Sequence, residues 1–294
     1  MVPGICIDCS PLLVRSAGVK TWLYHWLRAL RAQHPDSIKT LFEPRTSRLN
    51  HHGGLRLHAS RLAMLQTVNL LPPAALDFLV RDSRILHASN LVRKVPTRAR
   101  LSVTLHDLTA WVVPEFHRPE QVAGDLAFAQ RMVNRAAGII AVSENTRGDA
   151  MRILGIKPER IRVIYPGVAA EYFSAGMECA VSASKALDLT RPYFLFVGTM
   201  EPRKNVDTLL TAWMRLSLSF RRENTLVILG MPGWKSAGTM RRVTQLTRED
   251  SGIRHLGYVA EAHLPGLTAG AQALIYPSFY EGFGIPVAQA MAAG

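Results

Sequence analysis

Residues 193–213 read YFLFVGTMEPRKNVDTLLTAW, and this stretch decides the fold class. The five apolar residues Tyr193–Val197 predict a strand buried on both faces, because a half-exposed strand would alternate apolar and polar side chains. Gly198 then opens a polar loop, and Val206–Leu216 has the apolar spacing of a helix. A buried strand followed by a loop and a helix is the repeating unit of a parallel α/β sheet.

The same alternation extends over most of the chain and predicts two tandem α/β domains. We predict residues 1–175 as a first domain, 176–190 as a connector with little periodicity, and 191–294 as a second domain. Residues 43–84 are basic, contain Pro72-Pro73 and give no clear assignment. Further helices are predicted at 18–32 and 237–247. The other predicted strands are Ile5–Asp8, Ile38–Phe42, Ile85–His87, Leu101–Leu105, Ile139–Val142, Ile161–Tyr165, Thr225–Leu229, Ile253–Leu256 and Ala273–Tyr276.

The formal net charge of +13 over 294 residues indicates an anionic partner. Nucleic acid, phosphorylated ligands and an anionic membrane face all fit that charge. No nucleic-acid-binding motif accompanies the scattered arginines, which favours a phosphorylated ligand and a membrane surface. The chain has no apolar run of roughly 18 residues and no signal-peptide pattern in MVPGICID. We therefore expect a cytoplasmic protein that could bind peripherally to the inner face of the plasma membrane.

The cysteines and histidines predict neither a disulfide framework nor a metal site. The three cysteines are an odd number, and Cys6-x-x-Cys9 has redox spacing without a helix start directly after it. We interpret this pair as a strand cysteine and a loop cysteine. The ten histidines show no metal-ligand spacing.

The loop after the strand at 193–197 is the first candidate anion site. Gly198 lets the chain turn close to a ligand, and Asn205 is predicted to cap the following helix. Arg203 can bind a phosphate through two parallel hydrogen bonds, while Lys204 adds a compact charge. Together they suit a diphosphate. The alternative is a solvated basic turn, which is the commoner role of an isolated Arg-Lys pair.

The segment 276–294, YPSFYEGFGIPVAQAMAAG, is the second candidate. Glu281 is an acceptor suited to sugar hydroxyls, and Pro286 fits the first position of a helix. The backbone N–H groups of Phe283–Ile285, beside Gly282 and Gly284, would face a phosphate or sugar oxygen at that helix start. The alternative is a glycine-rich turn with a surface acid.

Two positions in the first half complete the candidate site. His106 ends the strand Leu101–Leu105, where a histidine could hydrogen-bond a substrate hydroxyl or a developing charge. Gly18 opens a helix after the first strand and offers a comparable turn. A lone histidine is more often a satisfied structural residue, and that alternative stays open here.

In their order along the chain, these segments resemble the group-1 (GT4-type) retaining glycosyltransferases, and most closely the bacterial mannosyltransferases of surface polysaccharide synthesis. The resemblance covers nearly the whole chain and is weakest over 43–84. It rests on GVKTWLYHWLRAL, TLHDLTAWVVPEF, IIAVSENTRGDAMRILGIKPERIRVIYPGV, YFLFVGTMEPRKNVDTLLTAW, LVILGMPGW, IRHLGYVAEAHLPGL and YPSFYEGFGIPVAQAMAAG.

The resemblance implies a GT-B fold, in which two Rossmann-like domains face a cleft. It implies transfer of a hexose, with mannose as a candidate, from GDP-mannose or a UDP-sugar to a lipid-linked or polysaccharide acceptor with retention. It implies no cofactor and no metal ion, because protein cations and helix N-termini neutralise the leaving diphosphate. His106 and Glu281 would contact the transferred sugar. The implied donor contacts are Gly18, Gly198, Arg203, Lys204, Gly282, Phe283, Gly284, Ile285 and Gln289.

Two departures from the family pattern leave a second function open. Gln289 stands where the family has a glutamate that binds the nucleotide ribose. The sequence also ends after AMAAG, where family members continue, which predicts an incomplete second domain. The alternative function is therefore a non-catalytic nucleotide-sugar-binding remnant or a partner-binding module. Charge-driven nucleic-acid binding ranks lower, and a Rossmann oxidoreductase is disfavoured because no G-x-G-x-x-G follows the first strand.

Overall fold

The structure is a computed structural model that describes residues 4–13, 18–44, 55–249 and 251–294, without the side chains of 55–59 and 62. Its internal contacts divide the chain into two units. The first comprises Met1–Val112 and Pro119–Gly167, and the second comprises Val113–Arg118 and Val168–Gly294. The division after Gly167 differs from the predicted boundaries at 175 and 190. The segment Val113–Arg118 groups with the second unit because Trp234 and Lys235 donate to the carbonyls of Phe116 and Glu115, at 2.8 and 2.9 Å.

The first unit contains a six-stranded parallel sheet with the order β2-β1-β3-β4-β5-β6. All six predicted strands are present; the first matches at both ends, and the ends of the other five differ by one or two residues. The strands are β1 Ile5–Asp8, β2 Ile38–Leu41, β3 Ile85–Ala88, β4 Arg100–Leu105, β5 Gly138–Ala141 and β6 Ile161–Val163.

Helices of the first unit cover hydrophobic clusters at the sheet. One cluster contains Leu86, Val103 and Ile139 from neighbouring strands, and another joins Ile7 to Leu23 and Leu27 of the first helix. Leu23 and Leu27 are four residues apart and so lie on one helix face. The helices are α1 Gly18–Gln33, α2 Leu55–Leu70, α3 Pro73–Leu79, α4 Thr109–Val112, α5 Pro119–Arg131 and α6 Glu144–Leu154.

The second unit contains a four-stranded parallel sheet with the order β10-β7-β8-β9. Every residue of its strand at 225–229 is buried, as the continuous apolar run TLVIL predicts. The strands are β7 Tyr193–Val197, β8 Thr225–Leu229, β9 Ile253–Gly257 and β10 Ala273–Leu274. The helices are α7 Ala170–Phe173, α8 Met177–Ala186, α9 Val206–Met214, α10 Leu218–Glu223, α11 Ala237–Arg248, α12 Leu264–Ala269 and α13 Ile285–Ala292.

The structure corrects two readings of the sequence. The stretch 176–190, predicted as a connector, contains α8, which packs on α12 through the small residues Ala180 and Ala183. A Cβ on Gly266 of α12 would lie 2.4 Å from the carbonyl oxygen of Cys179, so the two helices approach closely. The unassigned region 43–84 contains α2 and α3, while 45–54 lies outside the described residues.

Both cysteines of the Cys6-x-x-Cys9 pair are buried and form no disulfide. Burial raises the pKa of Cys6 to about 11, so its thiol is protonated at neutral pH, which agrees with a core cysteine rather than a redox site. Within the described ranges, no group of three His, Cys, Asp or Glu side chains could hold a metal ion. None of the helices in that part of the chain combines the length and apolar content needed to cross a membrane.

Candidate active site

The loop after β7 is shaped by glycines on two neighbouring strands. The amide of Gly198 donates to the carbonyl of Leu229 at 2.9 Å, which joins this loop to the end of β8. Gly230 follows at a φ of 154°, and a Cβ there would lie 1.8 Å from the carbonyl oxygen of Gly198. A Cβ on Gly198 itself would touch Lys204 Cε at 3.6 Å. Only glycine fits at 230, and glycine at 198 leaves room beside the lysine.

Arg203 and Lys204 form a buried ion cluster with the carboxylate of Glu281. Arg203 Nη1 lies 2.6 Å from Glu281 Oε2, and Lys204 Nζ lies 2.6 Å from Glu281 Oε1. Arg203 also pairs with Glu201 and donates to the carbonyl of Tyr280 at 2.9 Å. Lys204 donates to the hydroxyl of Tyr276 at 2.7 Å. The alternative of a solvated basic turn is wrong, because Arg203 and Lys204 are 9% and 8% exposed.

Burial and charge act in opposite directions within this ion cluster. Burial tends to raise the pKa of Glu281, but Lys204 and Arg203 outweigh it and hold that pKa below its ordinary value. Burial raises the pKa of Glu201 and lowers the pKa of Lys204. With all four groups ionised, the two cations are balanced by two carboxylates. A bound anion would therefore compete with a carboxylate for Arg203 and Lys204.

The segment that carries Glu281 is attached to the loop after β7 by backbone hydrogen bonds. The amide of Phe279 donates to the carbonyl of Arg203 at 2.9 Å. Gly284 occupies the N-cap position of α13 with a φ of 86°, which a side chain would strain. Helix α13 begins at Ile285, so Pro286 is its second residue and not the predicted first. Gln289 is half-buried on α13 four residues after Ile285, on the same face.

Asn205 differs from its predicted role as a helix cap. It lies at the N-cap position of α9, but its φ of 56° is left-handed and its side chain makes no capping hydrogen bond. Its Nδ2 instead donates to the carbonyl of Pro277 at 3.2 Å. The side chain thus supports the segment that carries Glu281 rather than the helix.

In the first unit, His106 follows β4 and is held by an aromatic stack. The Trp22 ring meets His106 edge-on, with 4.7 Å between ring centroids, and Trp22 stacks on Trp26 at 5.1 Å. Burial lowers the pKa of His106 to about 4, so the imidazole is uncharged at neutral pH. It can donate or accept one hydrogen bond at each nitrogen but supplies no positive charge.

Gly18 is the first residue of α1 and is exposed. A Cβ there would meet no described atom within 4 Å. The described packing therefore does not require a glycine, and the predicted role, close approach of a ligand, stays a prediction.

The structure brings three of the predicted residues into direct contact: Arg203, Lys204 and Glu281. The residue patterns assigned them to two anion sites and the family resemblance to one donor site; in the structure they form one ion cluster. Glu201 and Tyr276 also belong to it and were missed. Glu201 lies two residues before Arg203 in the same loop, which was the available signal, but nothing in the sequence pairs Tyr276 with Lys204.

Comparison with known proteins identifies the family. Residues 16–172 match the sequence profile "Glycosyltransferase Family 4", and residues 180–294 match "Glycosyl transferases group 1". The chain belongs to the group 1, family 4 glycosyltransferases. This glycosyltransferase is 32% identical over 264 residues to O-antigen chain mannosyltransferase B of Escherichia coli, which covers 88% of this chain and 68% of that protein. It is 26% identical to O-antigen chain mannosyltransferase RfbU of Salmonella typhimurium, over 67% of this chain and 51% of that protein.

Solved structures show that this glycosyltransferase has the GT-B fold, as predicted. HepE of Anabaena, solved in complex with UDP-glucose, matches with a TM-score of 0.69 at 16% identity, over 99% of this chain and 78% of HepE. Sucrose-phosphate synthase of Thermosynechococcus elongatus matches with a TM-score of 0.72 at 18% identity, over 99% of this chain and 79% of that one.

Proposed function

We propose that this glycosyltransferase moves a hexose from a nucleotide sugar to a lipid-linked or polysaccharide acceptor with retention, in lipopolysaccharide synthesis. GDP-mannose is the proposed donor, because the two relatives described above are mannosyltransferases of O-antigen chains. A UDP-sugar is the competing donor, since HepE was solved with UDP-glucose.

The observation that carries this proposal is the buried pair Arg203 and Lys204 on the loop after β7. In parallel α/β sheets, ligands bind at the carboxyl ends of the strands. Two fixed cations at that edge can hold a diphosphate and neutralise the charge that grows on it as the sugar leaves. This arrangement supports a reaction that needs neither a metal ion nor a cofactor.

The other residues receive proposed roles around that diphosphate. We assign Glu281 to the hydroxyls of the transferred sugar. It would accept hydrogen bonds from them once the diphosphate has replaced its carboxylate beside Arg203 and Lys204. The start of α13, from Gly282 to Ile285, would contact the sugar and phosphate, and Gln289 the ribose. His106, uncharged at neutral pH, would hydrogen-bond the sugar, and Gly18 would leave room for donor and acceptor.

A panel of GDP-mannose, UDP-glucose and ADP-glucose in thermal unfolding tests donor binding. We expect a selective rise in the unfolding temperature with one nucleotide, because a ligand that binds only the folded protein stabilises it. Replacing both Arg203 and Lys204 with glutamine should abolish that rise. The matched control replaces Arg221 and Arg222, an adjacent pair at the end of α10, and should keep it. Donor-induced stabilisation that survives in the Arg203/Lys204 variant would refute the diphosphate assignment.

Transfer itself is measured with labelled donor and a lipid-linked acceptor fraction, and NMR of the product gives the anomeric configuration. Gln289, in place of the family's glutamate, favours one alternative, a protein that binds nucleotide sugar without turnover. Selective donor binding with neither transfer nor donor hydrolysis would support that alternative over the proposed enzyme.

A further inference from the structure

The turn between α2 and α3 exposes a continuous apolar surface. Leu70–Ala74, with the sequence LLPPA, are five consecutive apolar residues that are all exposed, and Leu70 is 83% exposed. At the other end of α3, Phe78 is 64% exposed and Leu79 is also exposed. The seven residues of α3 span only about 10 Å, so both ends belong to one small surface. Exposed apolar residues grouped in this way are typical of a docking site.

Side-chain hydrogen bonds hold this turn in place. Asn69 Nδ2 donates to the carbonyl of Leu91 at 2.8 Å, and Asn69 Oδ1 accepts from the amide of Arg93 at 2.8 Å. At α3, the buried Asp77 accepts from the amides of Thr97 and Arg98, at 2.7 and 3.3 Å. The turn is therefore attached at both ends to the segment between β3 and β4. An attached turn keeps its leucines exposed instead of folding them onto the unit.

The stretch of chain that carries the apolar residues is rich in positive charge. Between Leu70 and Arg100 the only acids are Asp77, which is buried, and Asp82, which pairs with Lys39 at 2.9 Å and with Arg81 at 3.8 Å. The guanidinium of Arg81 lies 4.7 Å from the centroid of the Phe78 ring. The six cations of this stretch, all except Lys94 exposed, are Arg81, Arg84, Arg93, Lys94, Arg98 and Arg100.

We propose that the surface formed by Leu70–Ala74, Phe78, Leu79 and Arg81, the α2–α3 surface, docks on an anionic lipid bilayer. The leucines and Phe78 enter the boundary between headgroups and acyl chains, while Arg81 and its neighbours bind lipid phosphates. A second copy of this chain fits poorly, because two such basic surfaces would repel each other. A nucleic acid would use the cations but leave the leucines in water.

The α2–α3 surface is connected to the candidate site within the first unit. Asn69 binds the loop that follows β3, and β3 pairs with β4, which ends at Leu105 directly before His106. Docking through this surface would place the first unit against a bilayer that holds a lipid-linked acceptor. Membrane binding goes beyond the proposed transfer, because it requires neither donor nor turnover.

Flotation with vesicles of phosphatidylcholine alone, or mixed with phosphatidylglycerol, tests the proposal on the full chain. We expect binding only to the mixed vesicles, and weaker binding at high salt. Phe78→Asp should weaken that binding about tenfold by removing an inserted ring. Arg81→Glu should weaken it by a similar factor of about ten by reversing a charge at the surface. Phe173→Asp is the matched control, since Phe173 is 69% exposed on α7 of the second unit, and it should bind like the parent.

Three results would overturn the proposal. The first is that the parent does not bind mixed vesicles at low salt. The second is that Phe78→Asp binds these vesicles as tightly as the parent. The third is that Phe173→Asp loses as much vesicle binding as Phe78→Asp. Self-association of the parent that is lost in Phe78→Asp, without vesicle binding, would instead assign the surface to a second copy. Thermal unfolding of each variant checks its fold. A chain that binds mixed vesicles as expected but no nucleotide sugar would refute the proposed function and leave the membrane proposal intact.

Discussion

Replacing Glu281 with glutamine should loosen the ion cluster and at the same time strengthen the binding of a bare nucleoside diphosphate. The glutamine keeps the size of the side chain and one acceptor oxygen but removes the negative charge. In the parent, that charge accepts a hydrogen bond at 2.6 Å from each of Arg203 and Lys204. Stability and anion affinity therefore move in opposite directions, which a non-specific disturbance of the fold would not produce.

The loss of stability follows from these two hydrogen bonds. A bond to a charged group contributes roughly 1.5–3 kcal/mol and a neutral one about 1 kcal/mol, so the change costs about 2 kcal/mol in the free energy of unfolding. With an unfolding entropy of roughly 2.1 cal/mol/K per residue, such a loss lowers the unfolding temperature of a chain of 294 residues by about 3 °C. The matched control is Glu223→Gln, the same chemical change at an exposed residue of α10, which should unfold like the parent.

The gain in affinity follows because the glutamine no longer repels an incoming diphosphate as the Glu281 carboxylate does. Removing one negative charge from a partly buried site is worth roughly 1–2 kcal/mol to a bound anion, or about a tenfold lower Kd for GDP or UDP. The sugar nucleotide should gain less than the bare diphosphate, because Glu281 is also the proposed partner of the sugar hydroxyls. Titration calorimetry with GDP and GDP-mannose separates the two effects.

The pH dependence gives an independent check of the same reasoning. The pKa of Glu281 is lower in the folded chain than its ordinary 4.5, so on acidification the unfolded chain binds the proton first. The stability that ionised Glu281 contributes is therefore present above pH 4.5, and it is lost as the pH falls through the pKa of Glu281 in the folded chain. The difference in unfolding temperature between parent and Glu281→Gln should thus be constant near neutral pH and shrink below about 4.5. Equal stability at pH 7 together with unchanged GDP and UDP affinity would refute the role given to Glu281.

Two further substitutions test the glycine at β8 and the proposed ribose contact. Gly230→Ala would place a Cβ 1.8 Å from the carbonyl oxygen of Gly198, so we expect a loss of about 3 kcal/mol in chemical denaturation. Gly238→Ala on α11 meets nothing within 4 Å among the described atoms and should cost nothing or stabilise slightly; an equal loss in both would contradict the steric argument. Gln289→Glu should tighten donor binding by about 1 kcal/mol, near fivefold, through a charge-assisted bond to the ribose. An unchanged Kd in calorimetry would remove Gln289 from the ribose site.

The strands were predictable because a parallel sheet covered on both faces requires a distinctive run of apolar residues in each strand. A parallel strand covered on both faces must be apolar at successive positions; YFLFV meets that demand over its whole length, and TLVIL after its first residue. All ten predicted strands are present in the two sheets. Three of them match at both ends, and the ends of the others differ by one or two residues, since the apolar run continues past the last strand residue in, for example, β10.

Helices α2, α3 and α8 were not predicted, because their sequences carry no clear pattern of buried apolar residues. Helix α8 contacts α12 through Ala180 and Ala183, beside Gly266, and small residues give almost no hydrophobic periodicity for the burial they achieve. Helix α2 has its apolar residues spread around the axis instead of on one face. In α3, the residues that would mark a buried face, Phe78 and Leu79, are exposed. Pattern-based reasoning assumes that apolar residues are buried, and here they are not.

The candidate site was predictable as a set of residues but not as an arrangement. Arg203, Lys204 and Glu281 were each singled out, because a glycine-opened loop with charges at a strand end is visible in the sequence. The pairing of Glu281 with both cations joins positions 77 and 78 residues apart, and only the folded chain shows it. Tyr276 and Glu201 were missed for the same reason, since their roles depend on their neighbours in space.

In the proposed donor site, Glu281 would resolve a conflict between stability and binding. Two adjacent cations buried without counter-charge would each cost several kcal/mol in lost hydration, yet attraction to a diphosphate is strongest away from water. A carboxylate on a neighbouring segment meets both demands if it can move aside. Residues 275–284 lie outside any helix or strand, so a shift of Glu281 would leave the backbone pairs of the sheet intact. We therefore expect one side chain to serve in turn as counter-ion for the cations and as partner for the sugar, which a permanently placed acid could not do.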